Sequence, residues 1–217
     1  MPHTAKYKSK TRGRSAFTTS RHYDISSRLE RALSQSMYLI EANWAVLLYH
    51  VMGNSDNDYQ VNLNTPDGPR CTCPDSERGN LCKHVLFVLA RVLDLPTKED
   101  VFKNERWTEE QIDELRLVSV AKGVSLRSVS ASKHLSVELQ SCPPLPEPSD
   151  MCTICFEVFP LSTPQHLTYC IKQCKQWFHK KCIDKWSHSR RQKNLDVACP
   201  LCRCSWRSGV FVNTVPE

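Results

Sequence analysis

Residues 170–182 have the sequence CIKQCKQWFHKKC, which places four cysteine or histidine side chains within thirteen positions. Only four residues separate Cys174 from His179, so the ligand pairs on either side of this gap lie too close together to form independent metal modules. One Cys-x2-Cys pair lies before this stretch and another lies after it. Fourteen residues separate Cys155 from Cys170, and 16 residues separate Cys182 from Cys199. The eight candidate ligands are Cys152, Cys155, Cys170, Cys174, His179, Cys182, Cys199 and Cys202.

Thiolates and imidazoles are the ligands that zinc binds in a tetrahedron. Four pairs at these intervals predict a cross-brace, in which the first and third pairs share one ion and the second and fourth pairs share another. A segment of about 50 residues buries too little apolar surface to fold alone, so the two metals are expected to supply much of its stability.

The order of these ligands is shared by RING domains, RINGv domains and PHD fingers, so the other residues must discriminate between them. PHD fingers carry an aromatic residue two positions before the seventh ligand, where this chain has Val197. Trp186 follows Cys182 by four residues, as it does in RING domains. Residues 150–208 therefore resemble a RING with a single histidine as its fifth ligand.

The RING resemblance implies a surface that receives a ubiquitin-conjugating enzyme (E2). Ile154 is expected to point outward, because zinc ligands flank it on both sides. Arg203 corresponds to the cationic residue that holds the thioester-linked ubiquitin against the E2. The residues implied in E2 and ubiquitin contact are Ile154, Trp186, Pro200, Leu201 and Arg203.

A second zinc pattern stands earlier in the chain. Its four candidate ligands, all Cys or His, are Cys71, Cys73, Cys82 and His84. An apolar run at 44–51, a polar turn at 54–58 and an alternating segment at 59–63 predict a hairpin before them, and residues 85–95 predict a helix after them. This arrangement resembles a SWIM zinc finger. Four protein ligands leave no open coordination position, so the metal site is expected to be structural. The module around it is expected to bind protein or DNA through another part of its surface.

The remaining segments predict a division into modules. Ser27-x-x-Glu30 and Thr108-x-x-Gln111 are capping-box patterns, each predicting the start of a helix, the second one short. We expect a disordered basic tail at 1–25, a SWIM module at 26–118, a Ser/Pro-rich linker at 119–149, the RING at 150–208 and a tail at 209–217. The fold class is therefore α+β, built from small modules that zinc stabilises.

The basic tail accounts for the chain's net charge of +6. It suits a solvated segment, a nuclear address or a contact with nucleic acid. Six positive side chains precede the first acidic residue, Asp24: Lys6, Lys8, Lys10, Arg12, Arg14 and Arg21.

The cysteine usage bears on the compartment. The first 14 residues contain no apolar stretch, and the apolar runs are far shorter than the roughly 20 residues of a membrane span, so we expect a cytoplasmic or nuclear protein without membrane contact. Disulfides are disfavoured there, and they would not explain the Cys-x-His and His-x-x-Cys steps. Cys142 and Cys204 stand outside the ligand patterns and receive no role.

The two modules together, over residues 27–212, are similar to the SWIM/RING region of MAP-kinase-kinase kinases and of testis SWIM/RING ubiquitin ligases. Three segments carry the similarity: the SWIM ligands with the helix after them, the stretch quoted above, and CPLCRCSWRS at residues 199–208. The chain has no kinase domain and no further cysteine pairs for a ZZ-type finger.

The resemblance implies a RING-type E3 ubiquitin ligase that binds three zinc ions and has no covalent catalytic residue. Its partners are a ubiquitin-charged E2 and a protein substrate read by the SWIM module. Two alternatives remain at this point: a non-enzymatic zinc-binding adapter and a nucleic-acid-binding protein.

Overall fold

The computed structural model of the chain combines short helices with two small antiparallel sheets, which confirms the α+β prediction. We call residues 22–132 the amino-terminal module and residues 143–210 the carboxy-terminal module. No helix in the described part of the chain is long and apolar enough to cross a membrane. The residues that the structure describes are 22–53, 55, 57–65, 67–98, 100–102, 106–132 and 143–210.

A four-stranded meander forms the sheet of the amino-terminal module, in the order β1-β2-β3-β4. The predicted hairpin is present, because Tyr49 lies opposite Val61 in the β2–β3 register. The sequence suggested that the apolar run at 44–51 is one strand, and the structure shows that it is not. It contains a turn closed by Leu47, whose φ of 56° ends one strand and starts the next. The strands are β1 (Tyr38–Asn43), β2 (Leu48–Met52), β3 (Asp58–Asn62) and β4 (Arg70–Cys71).

Three helices accompany this sheet: α1 (His22–Ser34), α2 (Pro74–Glu77) and α3 (Lys83–Phe87), the last continuing as a π-helical turn over Val88–Val92. Helix α1 begins before the predicted Ser27 and so takes in the last residues of the segment expected to be a tail. Residues 1–21 lie outside the described residues. A short 3-10 helix, Asp100–Phe102, leads towards the last helix of the module.

Helix α4 (Glu109–Ser132) starts at the predicted capping box. The backbone N–H of Gln111 donates to Thr108 Oγ1 over 3.3 Å, and the backbone N–H of Thr108 donates to Gln111 Oε1 over 2.9 Å. The helix is not short, and the linker predicted from residue 119 begins in its middle. The correction has a physical cause, because Ser119 is buried and tied to the sheet rather than solvated.

The carboxy-terminal module holds a second sheet, in the order β6-β5-β7. Strand β7 pairs with β5, so the sheet extends past the predicted module end at residue 208 and includes the start of the expected tail. Residues 211–217 lie outside the described residues, as do residues 133–142 of the expected linker. The elements of the carboxy-terminal module are a 3-10 helix (Pro164–His166), β5 (Leu167–Cys170), β6 (Trp177–His179), α5 (Lys180–Gln192) and β7 (Ser208–Val210).

The meander has two apolar faces, and they belong to different cores. Leu39 and Val51 lie opposite each other and pack into the core under α3. Tyr38, Ile40 and Met52 pack instead with the carboxy-terminal module. Alternation along a strand sends successive side chains to opposite faces, and here both faces are covered by protein. The two modules are therefore packed together through the sheet.

The hydrogen bonds of Ser119 allow a test of whether α4 continues as a packed helix through residue 119. Its single O–H donates to the Trp44 carbonyl over 2.7 Å, so the buried Tyr49 hydroxyl is the donor in its own 2.7 Å bond to Ser119 Oγ. Ser119→Ala leaves both buried groups without a partner and should lower the free energy of unfolding by about 1–3 kcal/mol.

Denaturant unfolding measures this loss, with Val120→Ala as the matched control on the exposed side of the same turn. The control is expected to change stability by less than about 0.5 kcal/mol. Equal effects of the two substitutions would show that residue 119 lies in a solvated linker after all.

Candidate zinc centres and partner groove

The amino-terminal cluster joins the four predicted ligands in one buried group, with donor atoms within 4.8 Å of one another. Cys71 ends β4, Cys73 is the N-cap of α2, and Cys82 is the N-cap of α3. His84 stands in the first turn of α3, with Nδ1 3.9 Å from the sulfurs of Cys71 and Cys82.

The loop between Cys73 and Cys82 is held by a polar network around Asp75. Its carboxylate accepts from Arg28 Nε of α1 over 3.0 Å and from Asn80 Nδ2 over 2.9 Å. The Ser76 amide donates to Cys73 Sγ over 3.5 Å. These contacts bring the chain back towards the cluster, as the eight-residue interval allows.

The protonation chemistry of this cluster fits a cation. The thiol of Cys71 donates to Cys73, which raises the pKa of Cys71 and lowers that of Cys73. Three sulfurs this close share protons because a set of bare thiolates would repel one another. A zinc ion would take the place of those protons, and the four donors would complete its coordination without an open position.

The carboxy-terminal module contains two further clusters, and their membership confirms the predicted cross-brace. The first and third pairs meet in one group, and the second and fourth pairs meet in the other. Nδ1 of His179 lies 3.3 Å from Cys155 Sγ and 3.7 Å from Cys182 Sγ. The groups are Cys152, Cys155, His179 and Cys182, and Cys170, Cys174, Cys199 and Cys202.

Sulfur separations in the second group match a zinc tetrahedron. Cys174 and Cys199 are 3.7 Å apart, and Cys170 and Cys202 are 3.8 Å apart. Zn–S bonds of about 2.3 Å at tetrahedral angles put two sulfurs about 3.8 Å apart. The residues present therefore fit zinc by number, type and distance.

Each Cys-x2-Cys turn is closed by a residue in the left-handed conformation. Phe156 follows Cys155 with φ 57°, and Arg203 follows Cys202 with φ 62°. The Phe156 amide donates to the Cys152 carbonyl over 2.8 Å, and the Arg203 amide donates to the Cys199 carbonyl over 3.1 Å. The strain of a positive φ in residues other than glycine is tolerated where surrounding contacts determine the backbone.

Cys204 is the residue that the sequence analysis missed. Its sulfur lies 3.3 Å from that of Cys202 and 3.6 Å from that of Cys170. The alternating position Cys202-x-Cys204 resembles the Cys-x-Cys step of the first cluster and could have signalled this proximity. Cys142 lies outside the described residues.

The predicted partner groove differs from expectation at its centre. Ile154 is 1% exposed, whereas an outward, accessible side chain was expected. Ile154 belongs instead to a buried core that also includes Tyr38, Ile40 and Met52 of the amino-terminal sheet. The Ile154 carbonyl also accepts a 2.7 Å hydrogen bond from the Leu39 amide.

The other groove residues surround a cleft of about 270 Å³ between the modules. Trp186 is 3% exposed, and its indole N–H donates to the Ala198 carbonyl over 2.8 Å. Pro200 and Leu201 are half-buried, while Arg203 is exposed, with its guanidinium 5.7 Å from the centre of the Trp186 ring. Four of the five predicted groove residues thus line one cleft, whereas Ile154 is buried and does not line it.

Comparison with known families agrees with this geometry. Residues 150–203 match the family model of the ring finger domain, and residues 59–93 match that of the SWIM zinc finger. The chain therefore carries a SWIM zinc finger followed by a RING finger, as the sequence predicted.

Curated relatives match either most of the chain or a short part of it. The chain is 26% identical over 211 residues to mitogen-activated protein kinase kinase kinase 1 of Rattus norvegicus, covering 87% of this chain and 13% of that protein. It is 27% identical over 185 residues to E3 ubiquitin-protein ligase Zswim2 of Mus musculus, covering 82% and 29%. RING finger protein 148 of Bos taurus is 38% identical over 55 residues, covering 25% and 15%. The chain spans less than a third of each relative, and no solved structure matches it.

The clusters lead to a test of ligand identity. Cys174→Ser removes a buried sulfur from the second cross-brace cluster, so the purified protein should contain one zinc equivalent fewer and unfold at lower temperature. Elemental analysis and thermal unfolding measure both effects. Cys174 is chosen because Cys204 lies close enough to Cys202 to replace it.

Cys204→Ser serves as the matched control and should retain the full zinc content of the wild type. Loss of metal from Cys204→Ser but not from Cys174→Ser would contradict the assignment.

Proposed function

We propose that the chain is a RING-type E3 ubiquitin ligase. The carboxy-terminal module binds a ubiquitin-charged E2, and the amino-terminal module binds a substrate or partner protein. The observation that carries the proposal is the cross-braced pair of four-donor clusters, with Trp186, Pro200, Leu201 and Arg203 arranged along one edge of them. The E3 activity named for the relative Zswim2 supports it.

Three zinc ions hold this arrangement in the proposal, one in the SWIM module and two in the RING. Each cluster offers four donors, so the ions supply folding energy and do not activate water or a substrate. The ligands fix the turns before Phe156 and Arg203, and thereby fix the position of the groove.

The residues of the chain act on the reaction by positioning. Arg203 offers several N–H donors in a rigid planar group, which suits it to hold the thioester-linked ubiquitin in an attack-ready pose. The lysine of the substrate is the nucleophile, and the E2 cysteine is the leaving group. The chain needs no covalent catalytic residue, and Cys204 lies beside the ligands Cys170 and Cys202. A cytoplasmic or nuclear location, where thiols stay reduced, suits these clusters.

A non-enzymatic adapter is the second candidate, and the burial of Ile154 favours it. If the sheet covered the inner groove permanently, the RING would serve only as a folded docking module. Discharge of ubiquitin from a loaded E2 distinguishes the adapter from the ligase.

The ligase proposal predicts that zinc-loaded wild-type protein accelerates the transfer of ubiquitin from a panel of charged E2 enzymes to free lysine. Arg203→Ala should lower this acceleration about tenfold or more, because it removes charge-assisted hydrogen bonds from the positioned thioester. Single-turnover discharge followed on non-reducing gels measures the rate.

The control is Arg207→Ala, which removes an exposed guanidinium on the same segment outside the cleft. It should leave both zinc content and discharge unchanged. A folded, zinc-loaded protein that accelerates discharge from no E2, or an Arg203→Ala variant with the wild-type rate, would count against the ligase or against the role of Arg203, respectively.

A further inference from the structure

The inner end of the partner groove is sealed by the amino-terminal sheet. Strand β1 is an edge strand of the meander, and its Leu39 amide donates to the carbonyl of Ile154 in the first zinc turn. An exposed strand edge offers unpaired backbone groups, and here a turn of the RING satisfies one of them. The contact therefore joins the sheet to the residue that the RING resemblance places at the centre of E2 binding.

One face of the sheet shares a buried core with Ile154. Tyr38, Ile40 and Met52 form an apolar patch on one face of the sheet, and each is almost completely buried. Apolar surface of this kind is buried because leaving it in water costs free energy.

Charged groups close the interface at its periphery. Lys193, which follows α5, lies 3.0 Å from Asp58 of β3, and Ser189 Oγ donates to the same carboxylate over 3.1 Å. Arg91 of the π-helical turn lies 2.8 Å from Glu157, which follows the first zinc turn. Each ion pair joins the two modules, and each keeps partial solvent access.

The space that remains is too small for a protein partner at the inner groove. The cleft measures about 270 Å³, and its walls include Ile40 and Trp44 from the sheet side and Leu126 from α4. Ile154 itself is 1% exposed, so it offers a protein partner no accessible surface. An E2 can reach Arg203 and Pro200 at the rim, but it reaches Ile154 only if β1 moves away.

We propose that the SWIM sheet autoinhibits the RING. In the resting chain, β1 occupies the position of the E2 against Ile154, and full E2 binding requires the sheet to separate from the RING. The inference rests on the proposed ligase function, and it adds a regulatory contact within the chain. A partner that binds the β1 face of the SWIM module would activate the ligase by the same separation.

The test is E2 discharge by the full chain with the interface broken on its sheet side. Ile40→Asp places a carboxylate in the apolar patch without altering a residue of the RING or a zinc ligand. We expect discharge about tenfold faster than wild type or more, with tighter binding of the uncharged E2. Val46→Asp makes the same type of change at an exposed position of the neighbouring turn and should leave the rate unchanged.

A charge-reversal cycle keeps the inference testable if Ile40→Asp fails to fold. Asp58→Lys and Lys193→Asp each replace the 3.0 Å ion pair by a repulsion and should each raise the rate about two- to fivefold. The double variant restores opposite charges and should return towards the wild-type rate.

The outcomes separate this inference from the proposed function. Faster discharge by the interface variants, with Val46→Asp at the wild-type rate, supports autoinhibition. Equal rates in the wild type and in every folded interface variant overturn the inference and leave the ligase proposal standing. Zinc-loaded proteins that all fail to discharge any E2 overturn the ligase proposal and the inference together.

Discussion

Metal–thiolate coordination is the constraint on which the rest of this structure depends. Twelve cysteine and histidine side chains converge in three groups whose donor atoms lie within 4.8 Å of one another. Without cations, thiolates held this close would repel one another, so the groups would stay partly protonated. With zinc, each closed site contributes about 10 kcal/mol or more of apparent folding free energy, which small modules lack from their apolar cores alone.

The same constraint decides where the functional surface lies. Each Cys-x2-Cys turn is followed by a residue with positive φ, and the second of these turns places Pro200 and Arg203 at the cleft. Metal coordination thus fixes the backbone of these turns, and the backbone fixes the position of the groove. What covers the groove is settled by a different force, the burial of Tyr38, Ile40 and Met52 on the second face of a sheet whose first face already belongs to the SWIM core.

The parts that sequence predicted well are those governed by local spacing. Ligand intervals predicted the cross-brace, alternation predicted the β2–β3 hairpin, and Thr108 with Gln111 predicted the start of α4. The errors arise where tertiary contact overrides local pattern. Ser119 belongs to a polar-looking segment but is buried against Trp44, and Leu47 turns the chain without the glycine or asparagine that marks such turns. Ile154 is expected at the surface, but no pattern near it shows that the amino-terminal sheet packs into the same core.

In this account, the SWIM sheet covers the partner groove of the RING in the same chain. The most direct measurement is hydrogen–deuterium exchange of the β1 segment, Tyr38–Asn43, in the full zinc-loaded chain with and without a saturating uncharged E2. The account predicts slow exchange of the Leu39 amide in the free chain, because it donates to Ile154 over 2.7 Å. It also predicts markedly faster exchange once the E2 is bound. Rapid exchange in the free chain, or protection that persists with the E2 bound, would contradict it.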